Sequence, residues 1–291
     1  MDTRKCQAFL RVVERGQLSK AADDLGYTQS ALSQMISSLE AEVGVRLLDR
    51  SRTGSRLTIE GRELLPSFEA LVTAERRLAE RAGEISGLET GVVRMGTIAS
   101  ISAHWLPKII AEFEQTYPGV QFVIHQGDYA LIPEWIRSGT VDFGFVNPRG
   151  VTGLTTRPLK SGAMSAVLPC DHPLAAHDVV ALADLAREPF ILLEEGGYYE
   201  PLEAFAACGL APHVKYTIHD DYSIMAMVSQ NLGVSVLADL IMEGAPYDLA
   251  VRPTDPPIER TIALAYRDEA HLPIAAKRFM ALLESRIPEL P

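Results

Sequence analysis

Six side chains between positions 28 and 37 carry hydroxyl or amide groups that can both donate and accept hydrogen bonds: Thr28, Gln29, Ser30, Ser33, Gln34 and Ser37. At helical spacing the last five share one stripe, while Leu32, Met35, Ile36, Leu39 and Val43 form the opposite, apolar one. No Lys or Arg occurs between Lys20 and Arg46, so the polar stripe has no basic residue. Such a surface suits the major-groove edges of base pairs, where donors must meet acceptors and bulk prevents entry. Glutamine pairs bidentately with adenine, so Gln29 and Gln34 predict A·T-biased contacts. Further on, Arg50, Arg52 and Arg56 surround the turn signal Thr53-Gly54. Guanidinium groups there would neutralise phosphates or reach into a minor groove.

The elements that must position these groups are short and well punctuated. Ala8, Phe9, Leu10, Val12 and Val13 predict a helix over 3–15, stopped by Gly16. Ser19 is the expected N-cap of a second helix ending at Gly26, and Thr28 that of the third. Leu47 and Leu48 should be buried, and Leu57-Thr58-Ile59 reads as a strand returning from the turn. The pattern is a helix-turn-helix with a β-wing. The bland alternative, a small helical domain with a solvated serine-rich face, leaves the arginine-bearing wing unexplained.

From Thr58 to about Gly87, Leu64, Leu65, Phe68, Leu71, Val72, Leu78, Ala79, Ala82 and Ile85 keep a spacing of three and four. Pro66 should kink this helix or lie near its start. So amphipathic a helix needs a partner, either its own chain or the same helix of a second subunit.

Charge is unevenly shared. Residues 1–62 hold 10 Lys+Arg against 8 Asp+Glu, and the remainder 17 against 30, so the net −11 belongs to the body of the chain and does not exclude a nucleic-acid partner for its head. The 291 residues suggest about two domains. No run of about 18 apolar residues and no apolar leader is present, so neither a membrane span nor export is expected and the cytoplasm is the expected compartment. Cys6, Cys170 and Cys208 fit no zinc or disulfide framework and read as ordinary thiols, with Cys170 or Cys208 open to a redox role. No cofactor is expected. Nor is catalysis, since there is no Gly-x-Ser-x-Gly elbow, no phosphate-binding loop with lysine and no His-Glu-x-x-His.

From Gly91 on, strands alternate with helices, the mark of a largely parallel sheet covered by helices. Two α/β lobes joined by crossovers would make a hinged cleft, with ligands outside the strand ends where helices begin. Candidate binding groups there are Ser100 and Ser102, then Asp128 and Tyr129, then Tyr222 and Ser223 after the acidic pair Asp220-Asp221. Trp105, Tyr198 and Tyr199 are further candidate aromatics, the tyrosines in a glycine-bearing loop at the mouth. His125 and His219 lie near strand ends and read as structural. Asp128 and the second-lobe acids would repel a ligand carboxylate. Either an anionic effector meets only the Ser100 helix, or the effector is cationic or zwitterionic; Ser100, Asp128 and Asp221 can equally be plain N-caps.

The run FLRVVERGQLSKAADDLGYTQSALSQMISSLEAEVGVRLLDR followed by LTIEG resembles the DNA-binding domain of the LysR family of bacterial transcriptional regulators. GVVRMGTIASISAHWLPKIIAEFEQTYPGVQF, IRSGTVDFGFV and DDYSIMAMVSQNLGVSVLADLI are similar to its effector domain. The resemblance implies an α/β chain with an N-terminal winged helix-turn-helix (1–58), a long dimerisation helix (59–88) and a C-terminal two-lobed, periplasmic-binding-protein-like effector domain (89–291). Its first lobe would span about 92–160 and 267–291, and its second about 161–266. It further implies double-stranded promoter DNA with a dyad site, a small-molecule effector, self-association to a dimer or tetramer, and RNA polymerase as a candidate partner. Two positions depart from the family: Ser30 stands where proline is usual, and Gln34 where arginine is common.

Overall fold

The computed structural model describes residues 2–51, 54–85, 91–196 and 198–291. The chain divides into two compact units, one containing residues 1–88 and the other residues 89–137 and 141–291.

The first unit holds helices α1 (Thr3–Arg15), α2 (Leu18–Leu25) and α3 (Gln29–Val43), the hairpin β1 (Leu48–Ser51) and β2 (Gly54–Leu57), and the long helix α4 (Ile59–Ile85). Gly16, Gly26 and Gly44 end the first three helices in the left-handed conformation, which glycine adopts without a Cβ clash. Ser19 is not the cap of α2: Gln17 occupies the N-cap position with extended backbone and no side-chain bond, and Ser19 falls within the first turn. The wing strand also ends earlier than expected, at Leu57. Thr58 instead caps α4, its hydroxyl accepting from the Gly61 N–H at 2.9 Å and donating to the Arg46 carbonyl at 2.7 Å. Gly61 is required there, since a Cβ would stand 2.1 Å from the Leu47 carbonyl oxygen.

The core joins Phe9, Val12, Ala22, Leu32, Ile36, Leu39, Leu47 and Leu48 to Phe68 of α4. Phe68 meets Phe9 edge-on at 5.0 Å between ring centres. Glu75 binds Thr3 and Gln7 of α1 at 2.6 and 3.1 Å. Much of the apolar stripe of α4 therefore packs on its own chain, whereas Leu78 is 72% exposed. Pro66 sits inside α4, in its early turns.

The second unit contains β3 (Gly91–Thr97), α5 (Ala99–His104), α6 (Leu106–Thr116), β4 (Val120–Gln126), α7 (Leu131–Ser138), β5 (Phe143–Val146), β6 (Thr155–Pro169), β7 (Val180–Ala181), α8 (Leu182–Leu185), β8 (Pro189–Leu193), α9 (Glu200–Ala207), β9 (His213–Ile218), α10 (Asp221–Ser229), β10 (Ser235–Ala238), α11 (Asp239–Met242), β11 (Leu249–Arg252), β12 (Thr254–Asp255), β13 (Ile258–Tyr266) and α12 (Ile274–Arg286). The helix expected over 101–115 is two helices, because Pro107 lacks the N–H that would bond across the break near Trp105. The main sheet runs β10-β6-β13-β5-β3-β4, with β11 also on β6. Its long antiparallel pair, β6 and β13, carries the chain between two hydrophobic cores. Ile258 packs in the second lobe's core and Ile262–Tyr266 in the first's. The return crossing thus falls within β13. The expected second lobe, about 161–266, is too long at its C-terminal end: the alternation of β13 continues through the hinge, so nothing in the local pattern marks the crossing.

Candidate DNA interface and effector cleft

On α3 the expected stripe is real. Thr28 caps the helix, accepting from the Ala31 N–H at 3.2 Å, and its hydroxyl lies 3.1 Å from that of Ser30. Thr28, Gln29, Ser30, Gln34 and Ser37 are exposed, Ser33 half-buried, and Leu32, Ile36 and Leu39 fully covered on the opposite side. Arg50 was expected on the wing with its guanidinium free for phosphate. Instead it folds over α3, donating to Ser33 at 2.7 Å and Ser37 at 3.2 Å and pairing with Glu40 at 3.3 Å. Glu40 in turn accepts the Leu47 and Leu48 N–H groups at 2.8 and 3.1 Å. The Arg50–Glu40 pair therefore holds the hairpin against α3. Arg56 is exposed on β2, opposite Asp49 in register. Arg52 and Thr53 lie outside the described residues.

Between the two lobes of the second unit lies a cavity of about 410 Å³. Its first-lobe wall is Ile98, Ala99, Gln126, Gly127, Asp128 and Leu131; its second-lobe wall is Leu193, Glu194, Glu195, His219 and Asp221. Most stand at or just beyond the carboxyl ends of β3, β4, β8 and β9, as the topology of an open sheet requires. A backbone bond from the Tyr129 N–H to the Glu195 carbonyl, 3.2 Å, joins the lobes beside it.

Of the eight expected effector-contacting residues, only Asp128 lines this cavity. Its Oδ1 also accepts the Ala130 and Leu131 N–H groups, both at 2.8 Å. Ser100 is buried and accepts from Arg260 Nη2 at 3.0 Å. Ser102 lies 3.4 Å from the Thr97 hydroxyl, and Ser223 donates to Asp220 at 2.6 Å. Tyr199, at the N-cap position of α9, is a core residue whose hydroxyl donates to the Val236 carbonyl at 2.8 Å, which commits it to the second lobe's core. Tyr198 lies against Gly150, and Tyr222 is solvent-exposed at the start of α10. Trp105 is also core, bonded through its indole N–H to the Pro291 carbonyl at 3.2 Å. His219, expected to be structural, lines the cavity and stands 3.4 Å from Glu194.

Two residues that no sequence motif singles out dominate the local electrostatics. Arg260, 7% exposed, enters from β13 and interacts with Tyr129, Glu195, Glu200 and Asp221. Burial opposes its charge, but these neighbours hold its pKa above the ordinary arginine value. Burial pushes Glu195 up to about 8 against the pull of Arg260, with Asp221, Glu200 and Asp128 adding repulsion. Asp221 rises to about 6, again chiefly through burial. Glu200 is raised by burial although Asn147 donates to its Oε1 at 2.6 Å. Tyr129 Oη and Glu200 Oε2 are buried without a hydrogen-bond partner among the described residues, although Arg260 lies close to the Tyr129 hydroxyl. The sequence carries only a weak sign of this arrangement: Arg260 directly precedes the largely apolar run TIALAY, and an arginine carried into a core by its strand requires carboxylates nearby.

A helix-turn-helix with a wing, followed by a two-lobed α/β domain with an interlobe cavity, defines a one-chain regulator architecture. Residues 3–62 match the bacterial regulatory helix-turn-helix protein, lysR family, and residues 86–288 match the LysR substrate binding domain. The chain belongs to the LysR family: it is a DNA-binding transcriptional regulator with an effector-binding domain, not an enzyme. It is 32% identical over 286 residues, 97% of both chains, to the uncharacterized HTH-type transcriptional regulator YvbU of Bacillus subtilis (strain 168). Among solved structures it is similar to a full-length OxyR variant from Pseudomonas aeruginosa, with TM-score 0.73, 23% identity, and coverage of 100% of this chain and 95% of that one. It is also similar to full-length CbnR complexed with its target DNA, with TM-score 0.72, 20% identity, and coverage of 98% and 99%. Among the described residues no helix is long and apolar enough to cross a membrane.

Proposed function

We propose that this regulator reads A·T-biased half-sites through Gln29 and Gln34, clamps the flanking phosphates through Arg56 and its wing, and is switched by a small molecule held between the effector lobes. The observation that carries the reading is the exposed stripe of α3, with no basic residue, in a chain that also holds a separate, ligand-sized interlobe cavity. An effector with different affinity for the open and closed lobes shifts their equilibrium and so the geometry of the bound heads. The exposed end of α4 around Leu78 pairs with a second subunit, and dimers join into a homotetramer. Half-sites then lie about 10 base pairs apart or a multiple of that. The protein works in the cytoplasm, with promoter-bound RNA polymerase as its further partner. No cofactor besides the effector enters this scheme.

Footprinting on the chain's own upstream region, with and without a metabolite panel, tests it. Arg56→Ala should weaken binding to all duplexes and flatten the log–log salt dependence by about one unit, whereas Gln29→Ala should mainly relax base choice. Guanine selected at the glutamine-contacted positions would refute the A·T assignment. No preference over random competitor under any condition would refute specific DNA recognition by this face.

A further inference from the structure

The interlobe cavity is walled by Asp128, Glu194, Glu195 and Asp221, with no Lys or Arg among its described lining residues. Glu194 has His219 as a partner and Asp128 caps α7. Glu195 faces the cavity with no hydrogen bond or ion pair to its carboxylate from any described residue. Tyr129, outside the cavity lining, is 3% exposed, and its hydroxyl has no hydrogen-bond partner among the described residues although Arg260 lies close to it. Arg260 is the cation that the fold itself supplies here, but it lies outside the cavity lining, is bonded to Ser100, and sets one positive charge against Glu195, Glu200 and Asp221. Desolvated carboxylates in excess of their counter-charges favour a cation that brings its own N–H donors.

Resting on the regulator reading above, we propose that the effector is a small organic cation, an amine or amidine, whose N–H groups bind Glu195, Asp221 and Asp128, and that simple carboxylates are excluded. A cavity of about 410 Å³ holds a molecule of metabolite size. Excess carboxylate also sets the pH behaviour. Asp128, Glu194, Glu195, His219 and Asp221 line the site, and Glu200, Tyr129, Tyr199 and Arg260 are packed behind it. Binding a cation requires the ionised form of Glu195, so affinity rises with pH until that carboxyl, raised to about 8 by burial, has lost its proton.

The experiment is calorimetric titration and thermal melting of the full-length protein with putrescine, agmatine and L-arginine, beside succinate and benzoate as anionic probes, across pH 6 to 8.5. At least one amine should raise the melting temperature of the effector domain and bind more tightly as pH rises. Glu195→Gln should weaken that amine about tenfold or more and flatten its pH dependence. The same substitution removes a carboxylate that is costly to ionise, so at pH 8 the unliganded variant should melt no lower than the parent, which separates lost binding from lost folding. Asp221→Asn should weaken binding independently. Carboxylate binding without amine binding overturns the cationic class and leaves the effector cleft standing. If neither set changes the melting or the footprint, the cationic assignment falls, and the DNA-reading proposal is judged separately by the footprint of the unliganded protein.

Discussion

On α3 the groups proposed to meet DNA are neutral, short and mostly exposed, and Arg50 beside them is paired within the fold with Glu40. In the interlobe cleft the groups proposed to meet the effector are charged and partly withdrawn from water, with one buried guanidinium behind them set against three carboxylates. The first surface waits for a large ligand that carries its own uniform charge, so it needs hydrogen-bond matching more than charge of its own. The second must distinguish one small molecule from many, and stored electrostatic imbalance does that by penalising ligands of the wrong sign. The difference also separates what each region risks. Truncating an α3 side chain releases a solvated group, whereas removing the Arg260 charge behind the cleft leaves its carboxylate neighbours uncompensated.

The largest expected effect follows from that asymmetry. Arg260→Met strands Glu195, Glu200 and Asp221 beside one another, and breaking a buried ionic cluster this way costs about 3–5 kcal/mol. The loss should be confined to the melting transition of the effector domain and should shrink as pH falls and the stranded carboxyls take up protons. The parent protein already leans in this direction. Glu195 and Asp221 have folded pKa values of about 8 and about 6, above their unfolded values, so the folded state binds more protons between those limits. Their contribution is fully present below about pH 4 and is lost progressively as pH rises to about 8. Melting at pH 5.5 and 8 checks the sign: an effector domain that becomes more stable over that interval contradicts the burial argument.

Gly61→Ala aims at the other region. Its new Cβ would collide with the Leu47 carbonyl oxygen, which is backbone and cannot rotate away. Overpacking of this kind costs about 1–3 kcal/mol, and the α4–hairpin junction carries it. DNA affinity should fall while amine binding by the effector domain is unchanged. A parallel loss of both would show that the two units do not fold and bind independently.

The two regions also differed in how far they could be read from the residues alone. Helix ends at Gly16 and Gly26, the Thr28 cap and the polar stripe of α3 all depend on neighbours within a few positions, and each was legible. The cleft is assembled by the pairing of β6 with β13 across the middle of the chain, which puts Arg260 beside Ser100 and the acids that follow β8. No local pattern announces that neighbourhood. Glu194 and Glu195 sit in a glycine-bearing stretch that looks like a solvated loop, and strand-end serines looked like ligand hydroxyls although Ser102 and Ser223 bond within their own segments. The acidic character of the second-lobe helix start was visible at Asp220-Asp221; the buried arginine that organises it was not.

The smallest expected effect sharpens the boundary of the cleft. Tyr199 stands next to Glu200 in sequence and interacts with Glu195, yet its hydroxyl is committed to the Val236 carbonyl. Tyr199→Phe leaves that buried carbonyl without its donor, for a cost of about 1 kcal/mol, and leaves the ring in the core. The effector-domain melting temperature should drop by a few degrees, roughly as expected for that loss in a domain of this size. Amine affinity, measured by calorimetry well below the melting transition, should be unchanged within twofold. A tenfold loss of affinity with unaltered melting would instead place the Tyr199 hydroxyl on the ligand, and the second-lobe wall of the cavity would then have to extend inward from Glu195 to the end of β10.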